Sequence, residues 1–132
     1  MADVAQQTLH VVAKELGLTL GEARQSLEAY AERPDDPTSL AVCADRLHEV
    51  HGVLRVVEVY GAALLAEEME QVARFLLDAD ERPKAGASAE GLDALMRSMV
   101  QLPAYLERVL GGGRDLALVL LPLLNDLRAV RG

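Results

Sequence analysis

Asp36–Val57, DPTSLAVCADRLHEVHGVLRVV, reads as one helix. Asp36 and Pro37 supply its start. An acid at the N-cap accepts a free amide of the first turn, and proline suits the first helical position because the amide it lacks has no partner there. Beyond them Leu40, Cys43, Leu47, Val50, Leu54 and Val57 recur at alternating steps of three and four. That spacing stacks them into a narrow apolar seam on one face, the pattern of a helix packed in a bundle.

The same rhythm runs outward on both sides. Val4, Leu9, Val12 and Leu16 share a face, and Leu20–Ala31 continues as helix with Leu27 and Tyr30 at apolar positions. Gly17 and Gly21 allow either a break or one long helix with a weak centre, since a single glycine costs about 1 kcal/mol relative to alanine. Glu32–Asp36 is a turn. Tyr60-Gly61 is expected to end or bend the second helix, and a third is expected over about 62–79 with its seam at Leu65, Met69, Val72 and Leu76. DERPKAGA, residues 80–87, is a loop. Ser88 is expected to cap a fourth helix holding Leu92, Leu95, Met99, Leu102 and Leu106, kinked at Pro103. Gly111-Gly112-Gly113 reads as a flexible joint. The apolar segment after it, Asp115–Val130, is interrupted or restarted at Pro122 and must pack on the bundle or on something outside it.

These readings make the fold class all-α: an up-and-down four-helix bundle with additional terminal helical segments, in one domain over residues 1–132. Composition agrees. Half the residues are hydrophobic, yet only three Tyr and one Phe are present, which disfavours a sandwich or barrel. The lone Cys43 falls on the apolar seam and reads as an inert core thiol. A net charge of −8 with no basic face argues against nucleic acid and against an anionic membrane surface. The longest apolar run, Leu116–Leu124, contains Pro122 and is too short to span a bilayer. No signal peptide is apparent, and a cytoplasmic location is expected.

Beside the seam of the second helix lies a second stripe, Ala44, His48, His51 and Arg55. Gly52 stands one turn after His48 on the same face, where it leaves room for a backbone or a phosphate to approach the imidazole. A mid-helix glycine costs stability and should have a reason. On the third helix Glu67, Gln71, Arg74 and Asp78 form an outer polar stripe, whereas Glu70 flanks the seam beside Met69. Packed antiparallel, the two helices would bring Glu70 to His48. A carboxylate there would hold Nδ1–H and leave Nε2 as the nucleophile.

His48-x-Val50-His51-Gly52, followed by Glu70, resembles the histidine phosphotransfer (HPt) domain, the four-helix module of CheA-class chemotaxis kinases. The family pattern is His-x-(Leu/Ile/Val)-Lys-Gly on the second helix, with a Glu on the next helix bonded to the phospho-accepting His. His48, Val50, Gly52 and Glu70 match. His51 replaces the Lys, and Val53 and Leu54 stand where small residues usually follow the glycine. Free imidazole is mostly neutral at pH 7, so His51 compensates phosphate charge only when protonated, and Arg55 is the nearby substitute. The stretches GAALLAEEME (61–70) and LLPLLNDLRA (120–129) are similar, more specifically, to the amino-terminal FimL-like domain of ChpA/PilL-type hybrid kinases of type IV pilus chemosensory systems.

This resemblance implies a domain from a much longer signalling kinase, working in two-component phosphorelay control of twitching motility. Two readings follow from it. In one, the bundle is a degenerate HPt-like docking scaffold, with its apolar tail and the acids Glu67 and Glu68 as contact surfaces. In the other, His48 accepts a phosphoryl group from a kinase domain and passes it to a receiver Asp, with Glu70 orienting it, Gly52 giving access, and His51 and Arg55 facing the phosphate. Kinase and receiver domains, or a pilus-system scaffold protein, are the implied partners, and dimerisation is compatible with either reading. No cofactor is expected. His48 and His51 could reach one ion with Glu70 as a third ligand, but no second ligand pair of recognisable spacing is present, so a metal is not expected. No serine sits in a nucleophile motif, and the triple glycine lacks the spacing and Lys of a phosphate loop.

Overall fold

The computed structural model describes residues 2–78, 85–114 and 116–132. Of the loop expected over 80–87, residues 80–84 lie outside the described residues and 85–87 are the first residues of the fourth helix; Asp115 and the side chains of Val4, Leu9 and residues 85–87 also lie outside the described residues. Among the described residues five α-helices follow one another: α1 Ala2–Glu32, α2 Thr38–Val56, α3 Tyr60–Leu77, α4 Ala85–Leu110 and α5 Leu121–Arg131, with a 3₁₀ turn at Ala117–Leu120 before the last. There is no strand among the described residues.

α1 is continuous through Gly17 and Gly21. Its inward face, Leu16, Leu20, Ala23, Leu27 and Tyr30, is buried, and packing on that face outweighs the weak propensity of the two glycines. Asp36 and Pro37 do open α2, but one residue out from the expected register: Pro37 is the N-cap and Thr38 the first helical residue. The Asp36 carboxylate accepts the Thr38 amide at 3.0 Å, and Ala41 N–H donates to the Pro37 carbonyl at 3.0 Å. That amide, aided by the Thr38 hydroxyl and by Arg33, holds the Asp36 carboxyl below its ordinary range. The α2 seam of Leu40, Cys43, Leu47, Val50 and Leu54 is fully buried, as are Leu65, Met69 and Val72 of α3, with Leu76 nearly so.

α1 packs on α2, α2 on α3, α3 on α4, and α4 closes back on α1. α5 lies against α3 and α4 through Leu124 and Leu127, which complete the core with Leu120. The apolar tail is therefore a fifth member of the packing. Leu116, Leu118, Val119 and Leu121 stay exposed beside it.

Several boundaries differ from the sequence reading. Tyr60 and Gly61 begin α3; the chain reverses earlier, at Val57–Val59. There Val59 N–H donates to the Leu54 carbonyl at 2.9 Å and Glu58 N–H to that of Arg55 at 3.2 Å. These are the paired bonds of a Schellman closure, with Glu58 in the left-handed position at φ 64° and the buried Val59 following it. The triple glycine makes the same closure on α4. Gly113 N–H reaches the Arg108 carbonyl at 2.8 Å, Gly112 N–H reaches that of Val109 at 3.2 Å, and Gly112 takes φ 107°. The segment expected to be a loose joint is a hydrogen-bonded helix cap. Ser88 lies inside α4 rather than capping it, and Pro103 is accommodated within the helix. Pro122 sits in the first turn of α5, so that helix starts afresh.

Candidate functional site

α2 and α3 run antiparallel, and their facing polar positions pair in strict reverse order. Asp45 meets Arg74 at 3.3 Å, His48 meets Glu70 at 3.0 Å, and His51 meets Glu67 at 3.5 Å. Each step of one turn up α2 is a step of one turn down α3. The apolar seams fix this register, because a slip would carry buried leucines into water.

His48 Nδ1 faces Glu70 Oε1, and Glu70 Oε2 accepts Arg74 Nε–H at 2.7 Å. Both carboxylate oxygens are thus engaged, and the Glu70 side chain is only 12% exposed. The His48 side chain is 69% exposed, so its ring is tethered at one edge and open at the other. The bond to Glu70, and behind it Asp45, raise the Arg74 guanidinium above its ordinary range. His51 is only 16% exposed, lying in the groove between the helices with Nε2 toward Glu67. The two imidazoles stand 6.4 Å apart with their planes tilted by 56°. Gly52 is exposed, and a Cβ built on it would meet nothing within 4 Å.

These groups share an open cleft of about 570 Å³ lined by His48, His51, Glu67, Glu70, Arg74 and Arg131 among others. Of the residues singled out from sequence, His48, His51 and Glu70 come together here, with Gly52 beside them on the exposed face of α2. Arg55 does not line the cleft. Its cations are Arg74 on the facing helix and Arg131 from α5. Sequence reasoning placed the compensating charge on the histidine's own helix. The available signal for Arg74 was its position four residues after Glu70, where an acid and a base face each other on one helix.

Glu68 is a second correction. It was expected on an exposed acidic contact face, yet it is buried beneath α5. Arg128 Nε–H donates to its Oε1 at 3.1 Å and Arg131 NH2 to its Oε2 at 2.9 Å. Glu67 and Glu68 point about 100° apart on the helix, and only the first faces the histidines. No helix among the described residues is long and apolar enough to cross a membrane.

Comparison with known proteins places this geometry. The crystal structure of the phosphorylated P1 domain of CheA3 in complex with CheY6 from R. sphaeroides superposes with a TM-score of 0.82 at 19% identity, covering 96% of each chain. That likeness establishes the HPt-type fold. The scaffold protein FimL of Pseudomonas aeruginosa is 30% identical over 125 residues, 95% of this chain. The alignment covers 22% of that protein, so the chain spans about a fifth of the length of this curated relative. The sequence pattern of the FimL C-terminal domain matches residues 3–121. With that match running through all four bundle helices and into the turn before the fifth, the chain belongs to the FimL C-terminal domain family.

Proposed function

We propose that this chain is an HPt-fold docking domain of a chemosensory signalling assembly, of the type IV pilus kind that controls twitching motility, and that it works in the cytoplasm. The observation that carries the reading is the half-buried His51 where the phosphotransfer pattern has a lysine. Its ring is turned onto Glu67 in the groove, so no lysine cation stands next to His48 on α2. The FimL-type relative, named a scaffold protein, supports the same reading. The partner that fits is a receiver or kinase domain meeting the exposed face of α2 around His48 and Gly52. A parent protein of the ChpA/PilL hybrid-kinase type belongs to this proposal.

One specific observation favours a second reading, in which His48 is a working phosphoacceptor. Its Nδ1 is held by Glu70 at 3.0 Å while most of the side chain is open to solvent. Nε2 would then attack the γ-phosphorus of ATP bound to a kinase domain and expel ADP, and the phosphoryl group would pass on to a receiver aspartate. Here Arg74 is the neighbouring cation.

Incubation with the cognate kinase core and labelled ATP separates the two readings. The docking reading expects no label on the wild-type chain and partner binding that needs no phosphoryl group. Acid-labile label on wild type but not on His48→Gln overturns the docking-only reading.

A further inference from the structure

The expectation that no metal binds rested on the absence of a second ligand pair in the sequence. The fold supplies that pair. His48 and His51, one turn apart on α2, face Glu70 and Glu67, one turn apart on α3. One ligating atom from each of His48, His51 and Glu70 already lies within 4.8 Å of the others.

We propose that this groove binds one zinc ion through His48 Nδ1, His51 Nε2, Glu70 Oε1 and Glu67 Oε2. Tetrahedral bonds of about 2.1 Å place neighbouring ligand atoms about 3.4 Å apart. The two imidazole–carboxylate pairs stand at 3.0 and 3.5 Å, close to that edge length. The cleft is open, and Glu67 is the ligand that has to move in, since His48, His51 and Glu70 already gather without it.

The surrounding groups suit the ion. Arg74 holds Oε2 of Glu70 and leaves Oε1 directed at His48, so the ligand carboxylate is already oriented by an outer partner. Asp45 pairs with Arg74 and offsets the positive charge nearest the site. Two neutral imidazoles and two carboxylates with a divalent cation sum to zero charge. Two nitrogen donors in a set of four select a borderline ion such as zinc over magnesium or calcium, which take oxygen ligands in larger number. Zinc takes the Nδ1 lone pair, so the Nδ1 proton of the metal-free ring moves to Nε2, and the zinc-bound ring has no Nε2 lone pair left for phosphoryl transfer.

The test is titration of the unphosphorylated chain, with no kinase present. Zinc chloride is followed by calorimetry, and cobalt(II) by the visible absorption of a tetrahedral ion. The expected result is one ion per chain, with cobalt bands that zinc abolishes. His51→Asn and Glu67→Gln should each weaken binding by about tenfold or more, whereas His10→Gln, outside the cleft, should leave it unchanged. His48→Gln alters a mostly exposed side chain and serves as the second variant should His51→Asn fail to fold. No binding to the wild-type chain overturns the proposal. So does binding unaltered by Glu67→Gln and His48→Gln.

Discussion

His48 Nδ1 lies 3.0 Å from Glu70 Oε1. An ionised carboxylate can only accept, so Nδ1 carries the proton and Nε2 is the free lone pair. Long-range proton–nitrogen spectra of metal-free protein are expected to show the Nδ1–H tautomer for His48. Glu70→Ala should convert that signal to a mixture of tautomers while the bundle stays folded. An Nε2–H tautomer in the wild type would show that Glu70 does not orient the ring.

Glu68 is the buried acid of α3, and Arg128 and Arg131 neutralise it from α5. Removing both arginines strands a desolvated carboxylate. We expect Arg128→Ala with Arg131→Ala to cost about 2–3 kcal/mol in urea denaturation, below the full value for a buried pair because both guanidiniums are partly exposed. Glu68→Met should cost less than that double substitution, since it removes the need for compensation and keeps the volume.

Gly52 has no packing reason to be glycine, because a Cβ there meets nothing. Gly91 is different: its Cβ would lie 3.1 Å from Val130 and 3.3 Å from Leu76. Gly52→Ala is therefore expected to stabilise the chain by about 0.5–1 kcal/mol. Under the docking reading it should also weaken partner binding. Gly91→Ala should gain less than Gly52→Ala, because Val130 and Leu76 must give way to the added methyl.

Glu58 occupies the left-handed position that its counterpart Gly112 fills on α4. A side chain there costs about 1 kcal/mol. Glu58→Gly is expected to raise stability by about that amount, measured as a higher urea midpoint with an unchanged slope.

Cys43 is buried in the α2 seam, and burial pushes its thiol up to about 12. In the unfolded chain the thiol ionises near about pH 8.5. The raised folded value means that its contribution to stability is complete below that pH and is lost as pH rises toward 12. Urea midpoints of the wild type should therefore fall from about pH 8.5 upward relative to Cys43→Ala. Iodoacetamide at pH 8 should label the thiol only on unfolding.

The bundle was legible because its seams are local. The three-four spacing from Leu40 to Leu54 needs no knowledge of the partner helix, and the His48–Glu70 contact follows once two such seams face each other. What escaped is set by elements distant in sequence. Nothing near Glu68 marks it as buried; the covering arginines lie 60 and 63 residues away. The pairing of His51 with Glu67 likewise depends on register rather than spacing. The triple glycine misled for another reason. Glycine serves a loose linker and a Schellman cap equally well, and only the hydrogen bonds distinguish them.

The reverse-order pairing across α2 and α3 gives the turn at Val57–Val59 a role that none of its side chains performs. One residue inserted there turns α3 by about 100° relative to α2 unless the loop absorbs it. A bundle that recovers its seams after the insertion re-pairs His48 with Glu70 and His51 with Glu67, whereas one that keeps the rotation loses both pairs together. The two pairs are thus kept or lost as a unit, according to whether the loop absorbs the extra residue. The site therefore tolerates a change of turn length only as far as the loop takes it up and the seams stay in register.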